Sequence, residues 1–527
     1  MRTQQKSDRR EVAQDGRKVV PTRGPQDGGG GGAKATTVAE ETRQLELRFG
    51  TAESQGAKAS RTNGGVVAEN LSATAPFVEP KPNRKGEKVV SATMEEVTSR
   101  LKQAFYKVAA NKGAPGPDRQ NIEEVREHLD EVVPKVAAEL LTGSYKPGDI
   151  RRVWIPKSGG GDRGLGIPNV VDRMVQEAVR QVIEPLYEPT FHDESHGFRP
   201  GRSCHTAIAA AKKHLEEGYE WVVDLDLEKF FDRVSHQRLM ARLARRVTDK
   251  RLLVLIGQML KAAVVMPDGV RVATEEGVPQ GGPLSPLLSN IVLDELDAEL
   301  AQRGHRFVRY ADDCNVYVKS ERAGQRVMGS VVRFIEKRLR LKVNTAKSAV
   351  AKPEERHFVG FRLKREPLDG SVEVQLSKRS KDRIDEKIRD LTPRNWGQSM
   401  DAAIKRINRY LIGWIGFFGI CTLQEERTFA GLDAHIRRRL RAMQLKHWKR
   451  KLTQARKLIS LGVRAKTAWR DVYGGKKSIW DLSHSGAVER GLRNAYFAER
   501  GLESLLVRWR KKLEAVSAPA AVVLQLG

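Results

Sequence analysis

The chain has 527 residues, long enough for several domains, and 30% of them are charged. Lys and Arg outnumber Asp and Glu by 94 to 66, a formal net charge of +28, so a polyanion, most simply nucleic acid, is the expected partner. Three scattered cysteines (Cys204, Cys314, Cys421) exclude a disulfide framework and a paired-cysteine zinc site, and no long apolar run or secretory h-region is present, so the expected setting is soluble and reducing, with no membrane.

Residues 1–90 are polar and irregular, with a glycine run at 28–32 and one short apolar patch at 45–49. They read as a mostly disordered extension. Helical spacing begins near Met94 and runs through Phe105; residues 111–118 form a loop rich in glycine and proline. Residues 151–156 are a strand candidate ending in the loop 157–164. Lys157 and Arg163 place two cations on that flexible loop, a pattern able to clamp a triphosphate and balance its charge. Helices are predicted over 171–186 and 202–216.

The strand Val222-Val223-Asp224-Leu225-Asp226-Leu227 puts Asp224 and Asp226 on one face. Only one of them need bind metal; Asp226 is nearer the strand end and precedes the turn into Phe230-Phe231. Asp232 reads as a helix cap or as a partner for a nearby base. At Gly277-Val278-Pro279-Gln280-Gly281-Gly282 a glycine-rich turn enters an apolar helix, and Gln280 could offer its amide to a sugar or base. Then Arg306-Phe307-Val308-Arg309-Tyr310-Ala311-Asp312-Asp313-Cys314-Asn315-Val316-Tyr317-Val318 reads as a hairpin with two adjacent aspartates at its tip. Adjacent like charges are unfavourable unless cations absorb them. If the Asp226 strand pairs beside the hairpin, three carboxylates converge, a set suited to two Mg2+ ions and phosphoryl transfer. After about Leu376 the pattern turns all-helical and basic; residues 436–460 hold ten Lys and Arg and no acid.

The ordered blocks resemble the reverse transcriptase and maturase encoded by group II introns. They are Asn111-Lys112-Gly113-Ala114-Pro115-Gly116, Ile155-Pro156-Lys157, His196-Gly197-Phe198-Arg199-Pro200-Gly201-Arg202-Ser203, the Asp226 strand, Pro279-Gln280-Gly281, Tyr310-Ala311-Asp312-Asp313, Leu341-Lys342-Val343-Asn344-Thr345-Ala346-Lys347-Ser348, and Phe358-Val359-Gly360-Phe361. Gly164 departs from the pattern, since relatives more often have proline there.

The resemblance implies an α+β right-hand polymerase, with fingers and an antiparallel-sheet palm over 91–365. An all-helical thumb or maturase domain would follow at 366–449, and a small DNA-binding region at 450–527 with no endonuclease domain. It implies that Asp226, Asp312 and Asp313 hold two Mg2+ ions with help from the Leu227 carbonyl. Lys157 and Arg163 would hold the triphosphate, Gln280 the incoming nucleotide, and Lys347 would lie near the primer end or the phosphates. Phe231 would exclude a 2′-hydroxyl. In the helical region Trp414 and Phe417 are expected in the core, Arg437, Arg438, Arg439 and Arg441 against intron RNA, and Trp469 and Trp480 near DNA. The implied activity is RNA-directed DNA synthesis with splicing assistance and target-primed mobility. Its partners would be group II intron RNA, an RNA template with a DNA primer, target DNA and deoxynucleoside triphosphates, in prokaryotic cytoplasm near the nucleoid. The alternatives are a retron-type, CRISPR-associated or repair-adapted reverse transcriptase, or a silent RNA-binding maturase.

Overall fold

The alternation of apolar residues in three central strands builds the sheet on which the rest is hung. β3 (Trp221–Leu225), β6 (Arg306–Tyr310), β7 (Asp313–Val318) and β8 (Ala349–Ala351) form an antiparallel sheet in the order β6-β7-β3-β8. Because side chains alternate across a strand, neighbours in sequence serve opposite cores. Val223, Leu225, Phe307, Cys314 and Val316 enter one core with the N-terminal helices. Val222, Val308 and Tyr317 enter a second core with the C-terminal helices, where Cys421 is also buried. The architecture comes from a computed structural model that describes residues 92–156, 161–393, 397–475 and 477–517. The expected extension at 1–90 and Lys157 lie outside the described residues.

The first core is walled by α1 (Met94–Ala110), α2 (Val170–Tyr187), α3 (Ser285–Gln302) and α4 (Glu321–Phe334). Thr93 caps α1 by accepting from the Glu96 amide, which fixes the start of ordered patterning where the spacing placed it. A second sheet, β2-β1-β4-β5, contains β1 (Ile150–Pro156), β2 (Asp162–Ile167), β4 (Val264–Val265) and β5 (Arg271–Val272), with β1 parallel to β4. Arg163 therefore lies on β2, paired with Ile155, rather than on a loop running to residue 164.

β9 (Phe361–Arg365) and β10 (Val372–Leu376) make a separate hairpin that shares the second core with α5 (Lys378–Leu391), α6 (Met400–Phe418), α7 (Glu426–His447) and the shorter helices after them. A boundary after residue 365 would cut this hairpin between paired strands; the change to all-helical structure comes after Leu376. Trp414 is buried, with its ring 4.7 Å from Phe418 and 6.1 Å from Phe429, and Phe417 packs partly buried against the same cluster. No described helix is long and apolar enough to cross a membrane.

Candidate active site

The hairpin tip is a two-residue connection, Ala311-Asp312, between paired Tyr310 and Asp313. Ala311 takes φ +57°, the left-handed region that tight turns require and alanine seldom adopts. β3 runs antiparallel to β7, with Leu225 opposite Cys314, so Asp226 leaves β3 beside this tip. The three aspartates are thus electrostatic neighbours. Burial raises the Asp312 carboxyl, Arg163 opposes the rise and Asp226 adds to it. Asp313 keeps an exposed edge at the tip, yet protein crowds its carboxylate. Desolvation, then repulsion from Asp312, Asp224 and Asp226, pushes its carboxyl up to about 7.

This donor set suits a hard divalent cation, because such an ion takes carboxylate oxygens and would relieve the repulsion. Among the described residues no three His, Cys, Asp or Glu side chains are already drawn around one ion position.

The segment after Asp226 pairs with residues 342–344. Asn344 N donates to Asp226 O and Glu228 N donates to Lys342 O, each at 2.8 Å. These bonds flank the Leu227–Val343 bridge, so Leu227's own carbonyl points to the opposite side. Lys347 is exposed, its Nζ 3.9 Å from Asp226 Oδ2. Asp224 has a different partner: Arg356 grips its Oδ2 at 2.6 Å and donates also to the Lys347 carbonyl.

Lys229 at φ +49° turns the chain into a short 3-10 helix, Phe230–Asp232. Phe230 is buried in the first core, and Phe231 packs half-buried against the same core with its ring 5.2 Å from that of Phe230. Its carbonyl accepts from Val278 N at 2.6 Å, joining it to the glycine-rich turn. The Gln280 carbonyl accepts from Gly166 N at 2.6 Å, so the same turn also holds β2, the strand of Arg163. A Cβ on Gly281 would lie 2.4 Å from Gly166 O, which is why glycine sits there. Asp232 is not a helix cap; Ser235 caps the following helix.

The arginine-rich helix differs from expectation. Arg441 is buried, with Nε donating to Leu492 O at 2.9 Å and Nη1 3.5 Å from Glu489, so it holds protein together rather than offering charge to RNA. Arg439 is half-buried and donates to Thr392 Oγ1 and O, each at 2.8 Å. Arg438 lies 4.1 Å from the centre of the Trp480 ring, and Arg437 is half-exposed. Trp480 is thereby occupied by Arg438, whereas Trp469 is exposed and pairs with exposed Tyr473 at 5.4 Å.

Sequence reasoning missed Arg309, which is fully buried in an ion pair with Asp297 beneath the hairpin tip. A signal existed. Arg309 falls on the same strand face as buried Phe307, and an ionisable residue in that position needs a buried partner.

Residues 155–363 match the family described as reverse transcriptase (RNA-dependent DNA polymerase), and residues 381–459 match the group II intron, maturase-specific domain. The chain is 36% identical over 304 residues to protein YkfC of Escherichia coli (strain K12), covering 50% of this chain and 80% of that protein. It is 38% identical over 208 residues to the group II intron-encoded protein LtrA of Lactococcus lactis subsp. cremoris, 39% of this chain and 34% of that one. Against the putative COX1/OXI3 intron 2 protein of Saccharomyces cerevisiae it is 35% identical over 204 residues, 38% of this chain and 23% of the relative.

Proposed function

This chain belongs to the family of group II intron-encoded reverse transcriptases and maturases, and on that premise we propose that it copies RNA into DNA at the β6–β7 tip and assists the splicing and mobility of a group II intron. The observation that carries the reading is that Asp226, at the end of β3, and Asp312 and Asp313, at the β6–β7 tip, are brought beside one another and near Arg163, where burial first and repulsion second push Asp313 up to about 7.

In this reading β6-β7-β3-β8 is the palm, the β1–β2 hairpin and N-terminal helices are the fingers, and the helices after Leu376 are the thumb. The region from about residue 450 meets DNA. Family membership implies a divalent metal, and we assign Mg2+, held by Asp226, Asp312, Asp313 and the Leu227 carbonyl. Bound there, the metal would lower the pKa of the primer 3′-hydroxyl and stabilise the negative charge on the leaving pyrophosphate. The chain's own side chains do the rest. Arg163, with Lys157, balances the triphosphate; Gln280 aligns the incoming nucleotide over a turn bonded to the Arg163 strand. Phe231 fills the space of a 2′-hydroxyl, and Lys347, 3.9 Å from Asp226, carries positive charge to the primer end or the phosphates. The substrates are deoxynucleoside triphosphates and a DNA primer on an RNA template; intron RNA and target DNA are the other partners. Arg437 and Arg438 remain the candidates for RNA phosphate contact.

The test is extension of a DNA primer on an RNA template by purified protein with and without Mg2+, beside splicing of a group II intron RNA at low Mg2+. Extension without any effect on splicing would restrict the protein to polymerisation. Splicing without extension would make it an RNA-binding maturase.

A further inference from the structure

Residues 194–197, which lead into the His-Gly-Phe-Arg-Pro block, lie along the outer edge of β6. Arg309 N donates to Glu194 O and His196 N donates to Arg309 O, each at 2.8 Å. Gly197 continues under the hairpin tip, so close that a Cβ on it would stand 2.2 Å from Ala311 N. Asn290 of α3 donates its Nδ2 to Gly197 O at 2.8 Å. All these segments converge on the Arg309 guanidinium, which has no exposed surface. Its Nε and Nη2 grip the two oxygens of Asp297 at 2.7 and 2.5 Å. Nη2 also donates to Ser195 Oγ at 2.7 Å, and Nη1 donates to Asn290 Oδ1 at 3.0 Å and to Ala311 O at 2.8 Å.

We infer that Arg309 is a positioning residue for polymerisation: through Ala311 O it fixes the turn that carries Asp312 and Asp313, and Asn290, Asp297, Ser195 and Gly197 hold it there. The proposal rests on the reading of those aspartates as the polymerising site. Its physical content is that a strained turn needs an outside constraint. Ala311 at φ +57° would relax if its carbonyl lost its partner. A planar, five-donor guanidinium can reach an ion-pair partner and the turn together, and a lysine ammonium cannot. Catalysis by metal ions depends on ligands held to within fractions of an ångström.

The test uses the full chain with three variants. Arg309→Lys keeps the charge opposite Asp297 but loses the reach. Asn290→Ala removes only the link between Arg309 and Gly197. Val331→Ala, in the same core but on α4 away from the tip, is the control for general destabilisation. Three quantities are read: single-turnover extension rate with the active fraction, the half-saturating Mg2+ concentration, and hydrogen exchange of the peptide spanning 306–318 without metal or nucleotide. We expect the rate to fall about 100-fold in Arg309→Lys and about 10-fold in Asn290→Ala. Half-saturating Mg2+ should rise about 5-fold, primer–template affinity should stay put, and exchange at the turn should quicken. Val331→Ala should lower only the melting temperature. Unchanged rate, Mg2+ dependence and exchange in folded Asn290→Ala would overturn the proposal, as would losses that follow only the active fraction. A wild-type protein that does not extend primers would sink the polymerase reading, and the exchange result would still decide whether Arg309 holds the turn.

Discussion

The tip of the β6–β7 hairpin and the helix Glu426–His447 both gather charge of one sign, and they use it in opposite ways. At the tip, like charges are brought together: Asp313 is opposed by Asp312, Asp224 and Asp226, while Arg163 favours its charged form. On the helix, the arginines are mostly spent within the protein. Arg441 is buried against Leu492 and Glu489, Arg439 is bonded to Thr392, and Arg438 covers Trp480. Unbalanced charge retained at a cost marks a site awaiting a ligand. Abundant charge with protein partners marks architecture, and a count of basic residues in sequence does not separate the two.

The contrast is broken most directly at the tip. Asp226→Ala or Asp312→Ala should cut Mg2+-dependent cDNA synthesis by about 10^3-fold or more, with RNA binding retained. Asp224→Ala should do less, because its carboxylate is already engaged by Arg356. A dead Asp224→Ala beside an active Asp226→Ala would reverse the assignment. Phe231→Ala should raise ribonucleotide use relative to deoxynucleotide by about 10-fold, measured as the ratio of kcat/KM values. An unchanged ratio would remove Phe231 as the gate, and buried Phe230 could not replace it without local repacking.

On the helix the variants should part company. Arg437→Gln with Arg438→Gln should flatten the salt dependence of intron RNA binding by about 1–2 units of log–log slope. Arg441→Gln should leave that slope alone and lower the melting temperature by about 4 °C. Equal effects on RNA binding would mean that burial does not decide which arginines act. The smallest effect belongs to pH. Asp313 holds its proton more tightly folded than unfolded, so in EDTA its contribution to stability grows as pH falls from about 7 toward the ordinary carboxylate range and is lost as pH rises again. Asp313→Asn should therefore melt about 2 °C above wild type at pH 8 and level with it near pH 4. A gap that widens on acidification would contradict the electrostatic account of the tip.

The hairpin, the paired strand and the glycine-rich entry to α3 were legible because period-2 alternation and turn residues are local signals. So was the change to helices after Leu376, marked by the end of strand patterning. Arg163 was misread as loop because Asp162-Arg163-Gly164 carries turn-forming residues, yet pairing with Ile155 overrides them. Arg441 was misread because a run without acids hides which residues turn inward; its partners come from residues 489 and 492, about 50 positions away. The clamp on the hairpin tip was invisible for the same reason, since Ser195, Asn290 and Arg309 meet only in the fold.

The sheet that divides the two cores also sorts the cysteines. Cys314 is buried on one side, Cys421 on the other, and Cys204 is half-buried at a helix start. No described cysteine is tied in a disulfide. A thiol reagent therefore meets three clocks in one chain: Cys204 reports the native surface, and each buried thiol reacts only when its own core opens. The rates at Cys314 and Cys421, compared across denaturant, read out whether the polymerising half and the helical half come apart as one cooperative unit or as two.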